Sequence, residues 1–159
     1  MTVRPRRRDA AGTTGTAGTP PGPAVRALGQ LALGGVLLSA GAGHLTALRE
    51  EFQAQVPSWL PADPDHVVVA SGVVELALGA ALVGVWRQPA RGVVGALAAA
   101  FFVAVFPGNV AQLTERRDAF GLDSDAKRAV RLLFQPLLVG GALAATDGTQ
   151  TLRRLRSGR

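Results

Sequence analysis

What most constrains this chain is where charge is missing. Apart from Glu75, no formally charged residue occurs from Ala27 to Leu48, Val67 to Trp86 or Gly92 to Thr114. A fourth stretch, Ala129 to Thr146, is interrupted only by Arg131. A helix needs ~20 predominantly apolar residues to cross the ~30 Å hydrocarbon layer of a bilayer, and three of the four stretches reach that length. A soluble helix as long would carry a polar stripe toward water, and these carry none. The rival reading, a soluble bundle of four buried helices, fails on size. A chain of 159 residues has too little remaining sequence to cover four helices that are apolar all round. The pattern predicts an all-α integral membrane four-helix bundle with helices at about 25–46, 66–86, 91–113 and 126–146.

The net charge of +6 raises nucleic acid as a partner, and its placement argues against it. Five basic residues precede the first span (Arg4, Arg6, Arg7, Arg8, Arg26), Arg87 and Arg91 lie between the second and third, and Arg153, Arg154, Arg156 and Arg159 close the chain. The long first loop has Arg49 alone against Glu50, Glu51, Asp63 and Asp65. The loop before the fourth span is mixed, with Arg116, Arg117, Lys127 and Arg128 set against Glu115, Asp118, Asp123 and Asp125. Basic residues number eleven on one side and six on the other, which places the N and C termini in the cytoplasm by the positive-inside rule. The lipid bilayer, not nucleic acid, is the expected partner, and a solvated flank accounts for the arginines of the tail. The Ala, Gly, Val and Arg bias resembles that of a GC-rich bacterial genome, so the expected location is a bacterial cytoplasmic membrane.

Residues 1–23, rich in Gly, Thr, Ala and Pro, cannot bury enough apolar surface to order themselves and read as a disordered cytoplasmic tail. Residues 148–159 read as a basic cytoplasmic C-terminal tail. Ala40-Gly41-Ala42 resembles a signal-peptidase site, but three more spans follow, which favours an uncut first helix. The chain has no cysteine, which closes thiolate metal sites and thiol–disulfide chemistry to it.

In the first loop Leu45, Leu48, Phe52 and Val56 recur at helical spacing, a short amphipathic helix able to lie in the interface and ended by Pro57. An ordinary proline-rich loop is the plainer alternative. Trp59 and Trp86 stand where interface anchors belong, on opposite sides of the bilayer. The short link Arg87 to Arg91 makes the second and third spans antiparallel neighbours. Asp123 or Ser124 can cap the fourth helix. Gly34, Gly35, Gly72, Gly79, Gly84, Gly140 and Gly141 allow close helix approach in lipid.

Polar residues inside the spans carry the candidate chemistry. Glu75 lies nearly mid-span, where an ionised carboxylate is costly unless partnered. At ~1.5 Å per residue, Glu75 is ~12 Å, Gln135 ~9 Å, and His44 and Asn109 ~6 Å below the outer ends of their helices. Arg131 stands one turn above Gln135, and Ser71 shares the face of Glu75. Pro107 and Pro136 fall at similar depth as helix breaks, each freeing a carbonyl one turn earlier. One outward-opening pocket of His44, Ser71, Glu75, Asn109, Arg131 and Gln135 is expected. The alternative is that these groups hydrogen-bond across helices and set register, at about 0.6 kcal/mol each. With His66 as the only other histidine, no metal ligand set is visible.

Five segments together resemble the DoxX-like family of small bacterial membrane proteins. They are AGAGHL (Ala40 to Leu45), VPSWLP (Val56 to Pro61), SGVVELALG (Ser71 to Gly79), FPGNV (Phe106 to Val110) and RLLFQPLL (Arg131 to Leu138), spread over roughly residues 30 to 145. The chain departs from that pattern at Leu45, where an aromatic tends to follow the histidine, and at Gly108, where alanine is common. The resemblance implies a four-helix membrane fold and points to His44, Glu75, Asn109, Arg131 and Gln135. Its founding member is a subunit of a membrane quinone oxidoreductase that handles thiosulfate, and related proteins are associated with redox or detoxification complexes. It therefore implies a redox-protein partner, with quinone as the one cofactor it brings into view.

Three functions follow: a non-catalytic subunit of a quinone-linked redox complex, a small proton-coupled carrier, or a structural or assembly protein. No Ser-His-Asp arrangement or phosphate-cradling glycine loop supports a hydrolase.

Overall fold

The computed structural model describes residues 21–158, so the expected disordered tail falls outside it up to residue 20. Six helices follow in order: α1 (Pro23–Leu45), α2 (Arg49–Gln53), α3 (Pro64–Gly84), α4 (Ala90–Thr114), α5 (Asp125–Thr146) and α6 (Gly148–Ser157). Among the described residues there is no strand. Helices α1, α3, α4 and α5 are each long and apolar enough to cross a bilayer.

Their surface is turned inside out relative to a soluble protein. Leu28, Val103, Leu133 and Leu137 are more than half exposed, whereas Ala98 and Ala142 are fully covered. An apolar outer face of this extent is solvated by lipid and not by water. Away from Pro107 and Pro136 the helices satisfy their backbone groups internally, as a spanning segment must. The chain is a multi-pass membrane protein.

Helix ends follow local chemistry. Pro23 opens α1 and Pro64 opens α3, each at a position where no amide hydrogen is missed. Asp63 caps α3 by accepting from the amides of Asp65 (2.8 Å) and His66 (3.4 Å). Ser124, one of the two caps expected, accepts from the Lys127 amide at 3.4 Å and starts α5.

α1 packs chiefly on α3 and α4 on α5, while α1 against α5 joins the two pairs. Two glycine pairs explain the first contact. A Cβ on Gly41 would stand 2.7 Å from the Gly72 carbonyl oxygen, and one on Gly79 would stand 2.9 Å from the Gly34 carbonyl oxygen. Gly34/Gly41 and Gly72/Gly79 share one seven-residue spacing, so the antiparallel helices touch backbone to backbone twice, two turns apart. Gly35, Gly84 and Gly140, by contrast, face open space.

Three expectations are refined. The second and third spans, though joined by the short turn 85–89, touch sparsely, because α3 spends its glycine face on α1. The prolines do not break their helices: α4 runs through Pro107 and α5 through Pro136. Within the basic C-terminal stretch, residues 148–157 form a helix, with Thr151 seated against Gly92. The amphipathic stretch of the first loop is helical only over Arg49–Gln53. It folds back on the protein, burying Val56 and directing Phe52 onto His44.

Candidate functional site

The end of the bundle bearing Trp59 is closed by its loops. Arg49 Nε donates to Asp65 at 2.6 Å, and Gln53 donates to the same carboxylate at 3.1 Å. The Asp65 contact holds the Arg49 guanidinium above its ordinary range. Ser58 donates to Glu115 from its amide and its hydroxyl, which keeps that carboxyl below the usual carboxylate range. Arg117 donates to the Val56 carbonyl at 2.9 Å, and buried Arg128 pairs with Asp118 and Asp125. These ties hold the segment 115–124 across the mouth of the bundle.

Beneath it, the polar residues form two groups. In the first, His44 of α1 and Glu75 of α3 are both buried, with Nδ1 2.8 Å from Glu75 Oε2. The same nitrogen lies 2.8 Å from the Ala40 carbonyl, one turn earlier. The aligned hydrogen bond is the one to Ala40, and Glu75 Oε2 has no aligned donor. Ser71 turns its hydroxyl back to the Val68 carbonyl (2.9 Å) and leaves Glu75 alone.

The second group joins α4 to α5. Asn109 Nδ2 donates to Gln135 Oε1 at 3.0 Å, and Arg131 Nε donates to Asn109 Oδ1 at 3.1 Å. Gln135 Nε2 donates to the Phe102 carbonyl. That carbonyl lies next to Val103, whose own carbonyl loses its donor at Pro107.

Two phenylalanines bridge the groups. Phe52 stacks on the His44 ring with centroids 3.5 Å apart, and Phe120 meets Phe52 edge-on at 4.7 Å. The Arg131 guanidinium stands 5.1 Å from the Phe120 centroid. Phe120 reaches this place only in the left-handed region, φ 56°, with its amide donating to Glu51 at 2.5 Å. From the sequence, Phe52 reads as part of an interfacial helix face and not as a ring on His44, and Phe120 does not stand out. Phe120 leaves no signal at all, because a left-handed non-glycine residue has no spacing rule.

The single shared pocket therefore resolves into a sealed pair and an open groove. The groove, about 360 Å³, is lined by Asn109, Phe120, Lys127, Arg131, Phe134 and Gln135 among others, and by neither His44 nor Glu75. Lys127 is committed to Asp123 at 2.8 Å, which lowers the Asp123 carboxyl below its usual range. Arg131 has no carboxylate partner among the described residues. The groove thus offers fixed donors beside aromatic and aliphatic walls, suited to a flat or amphiphilic molecule rich in acceptors. Among the described residues no three His, Cys, Asp or Glu side chains converge as a metal site.

The two tryptophans lie at opposite ends of α3. Trp59 is two-thirds exposed above a second groove with Phe106, Pro107 and Val110. Trp86 donates to the Val83 carbonyl and carries Arg91 over its ring at 5.7 Å. Also missed was a buried knot at that end. Gln30 donates to the carbonyls of Leu82 (2.6 Å) and Val85 (2.9 Å) and accepts from Arg91 (2.6 Å), which also donates to Ala145 (2.6 Å). A glutamine inside an otherwise apolar run was the available signal.

A family model described as a domain of unknown function, DUF8561, matches residues 33–146. The match starts within α1 and ends with α5, so it takes in every residue of the two polar groups and leaves α6 outside. No curated protein and no solved structure matches the chain.

Proposed function

The chain belongs to the DUF8561 family, and we propose that it is a non-catalytic, DoxX-like subunit of a quinone-linked redox complex in a bacterial cytoplasmic membrane. One observation carries the reading. Arg131 faces an open groove inside the apolar zone, held by Asn109 and Phe120 and unmatched by a carboxylate among the described residues. A guanidinium is costly in lipid, and a ligand with carbonyl acceptors offsets part of that cost. A quinone ring supplies those acceptors, and its isoprenoid tail suits the Phe134 and Leu138 side of the groove. The family resemblance points the same way. Charge placement supports cytoplasmic termini, with Arg26, Arg87, Arg91, Arg153, Arg154 and Arg156 at the Trp86 end.

The structural or assembly reading draws its support from the other group. His44 and Glu75 are sealed from the groove and cross-link α1 to α3, as register-setting residues do. The test is solvent extraction of the tagged full chain purified from its own membrane, with quinone quantified by mass spectrometry. About one quinone per chain, falling at least about tenfold in Arg131→Leu, is expected from the loss of a charge-assisted contact. Absence of quinone from the unaltered chain, or equal retention by Arg131→Leu, overturns the proposal.

A further inference from the structure

We propose that α6 is an interfacial anchor that docks on anionic phospholipid headgroups at the Trp86 end of the bundle. This inference is independent of the quinone reading and concerns residues beyond the family match.

The helix leaves α5 at Asp147, which adopts φ 60° and pairs with Arg26 at the start of α1. Its first turn is clamped to α4: Gly148 and Thr151 are buried, and Thr151 sits on Gly92. By the 100° step of a helix, Leu152 and Leu155 continue the stripe begun by Gly148 and Thr151. Nothing in the bundle covers that continuation, and the two leucines are 47% and 62% exposed. Arg153 and Arg154 lie toward the other side and Arg156 on the flank of the stripe, with no acidic residue anywhere in the helix. None of the three arginines has a carboxylate partner among the described residues. Trp86, 42% exposed, marks the headgroup level at the same end.

Apolar residues flanked by uncompensated arginines at the rim of a span fit one occupant, an anionic lipid surface. Charge complementarity disfavours the alternatives. A second copy would bring arginine against arginine, and the chain's own N-terminal stretch is basic at Arg4, Arg6, Arg7 and Arg8. Nucleic acid would leave Leu152 and Leu155 without a role. Each arginine near an anionic surface strengthens attachment roughly fivefold, so the three together supply about a hundredfold.

The experiment is amide hydrogen exchange on the full chain in vesicles of phosphatidylcholine alone and of phosphatidylcholine mixed with phosphatidylglycerol. Exchange at residues 152–157 slows by about tenfold or more in the anionic vesicles. High salt, with a Debye length of about 3 Å at 1 M, removes the slowing, as does the triple change of Arg153, Arg154 and Arg156 to Gln. The comparison of vesicles with the unaltered chain stands even if that variant fails to fold. Equal exchange in the two vesicle types, whether fast or slow, overturns the proposal: fast exchange means no docking, and slow exchange means cover by protein.

Discussion

His44 Nδ1 is placed between two oxygens, 2.8 Å from Glu75 Oε2 and 2.8 Å from the Ala40 carbonyl, with its aligned bond to the latter. The two partners are therefore not equivalent. Removing Glu75 leaves the imidazole satisfied by its own helix, whereas removing His44 takes away the polar ring beside a buried acid that already lacks an aligned donor.

Glu75→Leu should accordingly cost less than about 1 kcal/mol, in line with single polar contacts in membrane bundles. His44→Phe keeps a ring to stack on Phe52 but replaces the polar nitrogen 2.8 Å from Glu75 with carbon, and should cost about 1–3 kcal/mol. Thermal unfolding of the two variants in the same detergent checks the order. Equal losses would mean that the Glu75 contact is the dominant bond.

Phe120 offers a test of the aromatic bridge. Its left-handed backbone is unfavourable for a side-chain-bearing residue by about 1–2 kcal/mol and free for glycine. Both Phe120→Ala and Phe120→Gly lose the contacts to Phe52 and Arg131, but the alanine variant should be less stable by about 1 kcal/mol. If alanine proves the better replacement, the segment does not turn in this way.

The glycine contacts of α1 and α3 separate by position. Gly41→Ala drives a methyl into the Gly72 backbone and Gly79→Ala into that of Gly34, each costing about 1–3 kcal/mol. Gly35→Ala meets nothing and should be neutral or stabilising by up to about 1 kcal/mol. Denaturation of the three variants in mixed micelles distinguishes them.

Gln30→Leu should be costly for a helix otherwise lined with leucine and alanine. It strips a donor from the Leu82 and Val85 carbonyls and an acceptor from Arg91. A loss of about 1–3 kcal/mol in thermal unfolding is expected. Gln30→Glu keeps the acceptor for Arg91 and should recover part of it.

How much of this the residues disclosed in advance follows from the kind of constraint. Lipid excludes charge and unpaired backbone, so the four spans stand out in composition, and the Ser124 cap follows from local chemistry. Helix pairing depends instead on which glycines meet, and Gly35 reads no differently from Gly34 until α3 is in place. The polar residues Glu75, Asn109 and Gln135 were visible as anomalies, but depth alone does not set azimuth, so one pocket became two groups. α6 is short and basic, and its order comes from Thr151 seated on Gly92, two residues separated in sequence by most of α4 and all of α5.

The proposed quinone would occupy the α4–α5 groove at Arg131 and not the His44–Glu75 pair. Photolabelling of the membrane-embedded chain with an azido-quinone, followed by peptide mapping, tests it directly. Adducts are expected on peptides carrying Phe120, Arg131 and Phe134, displaced by excess unlabelled quinone. Adducts confined to peptides carrying His44 or Glu75, or no displaceable adduct at all, would contradict the account.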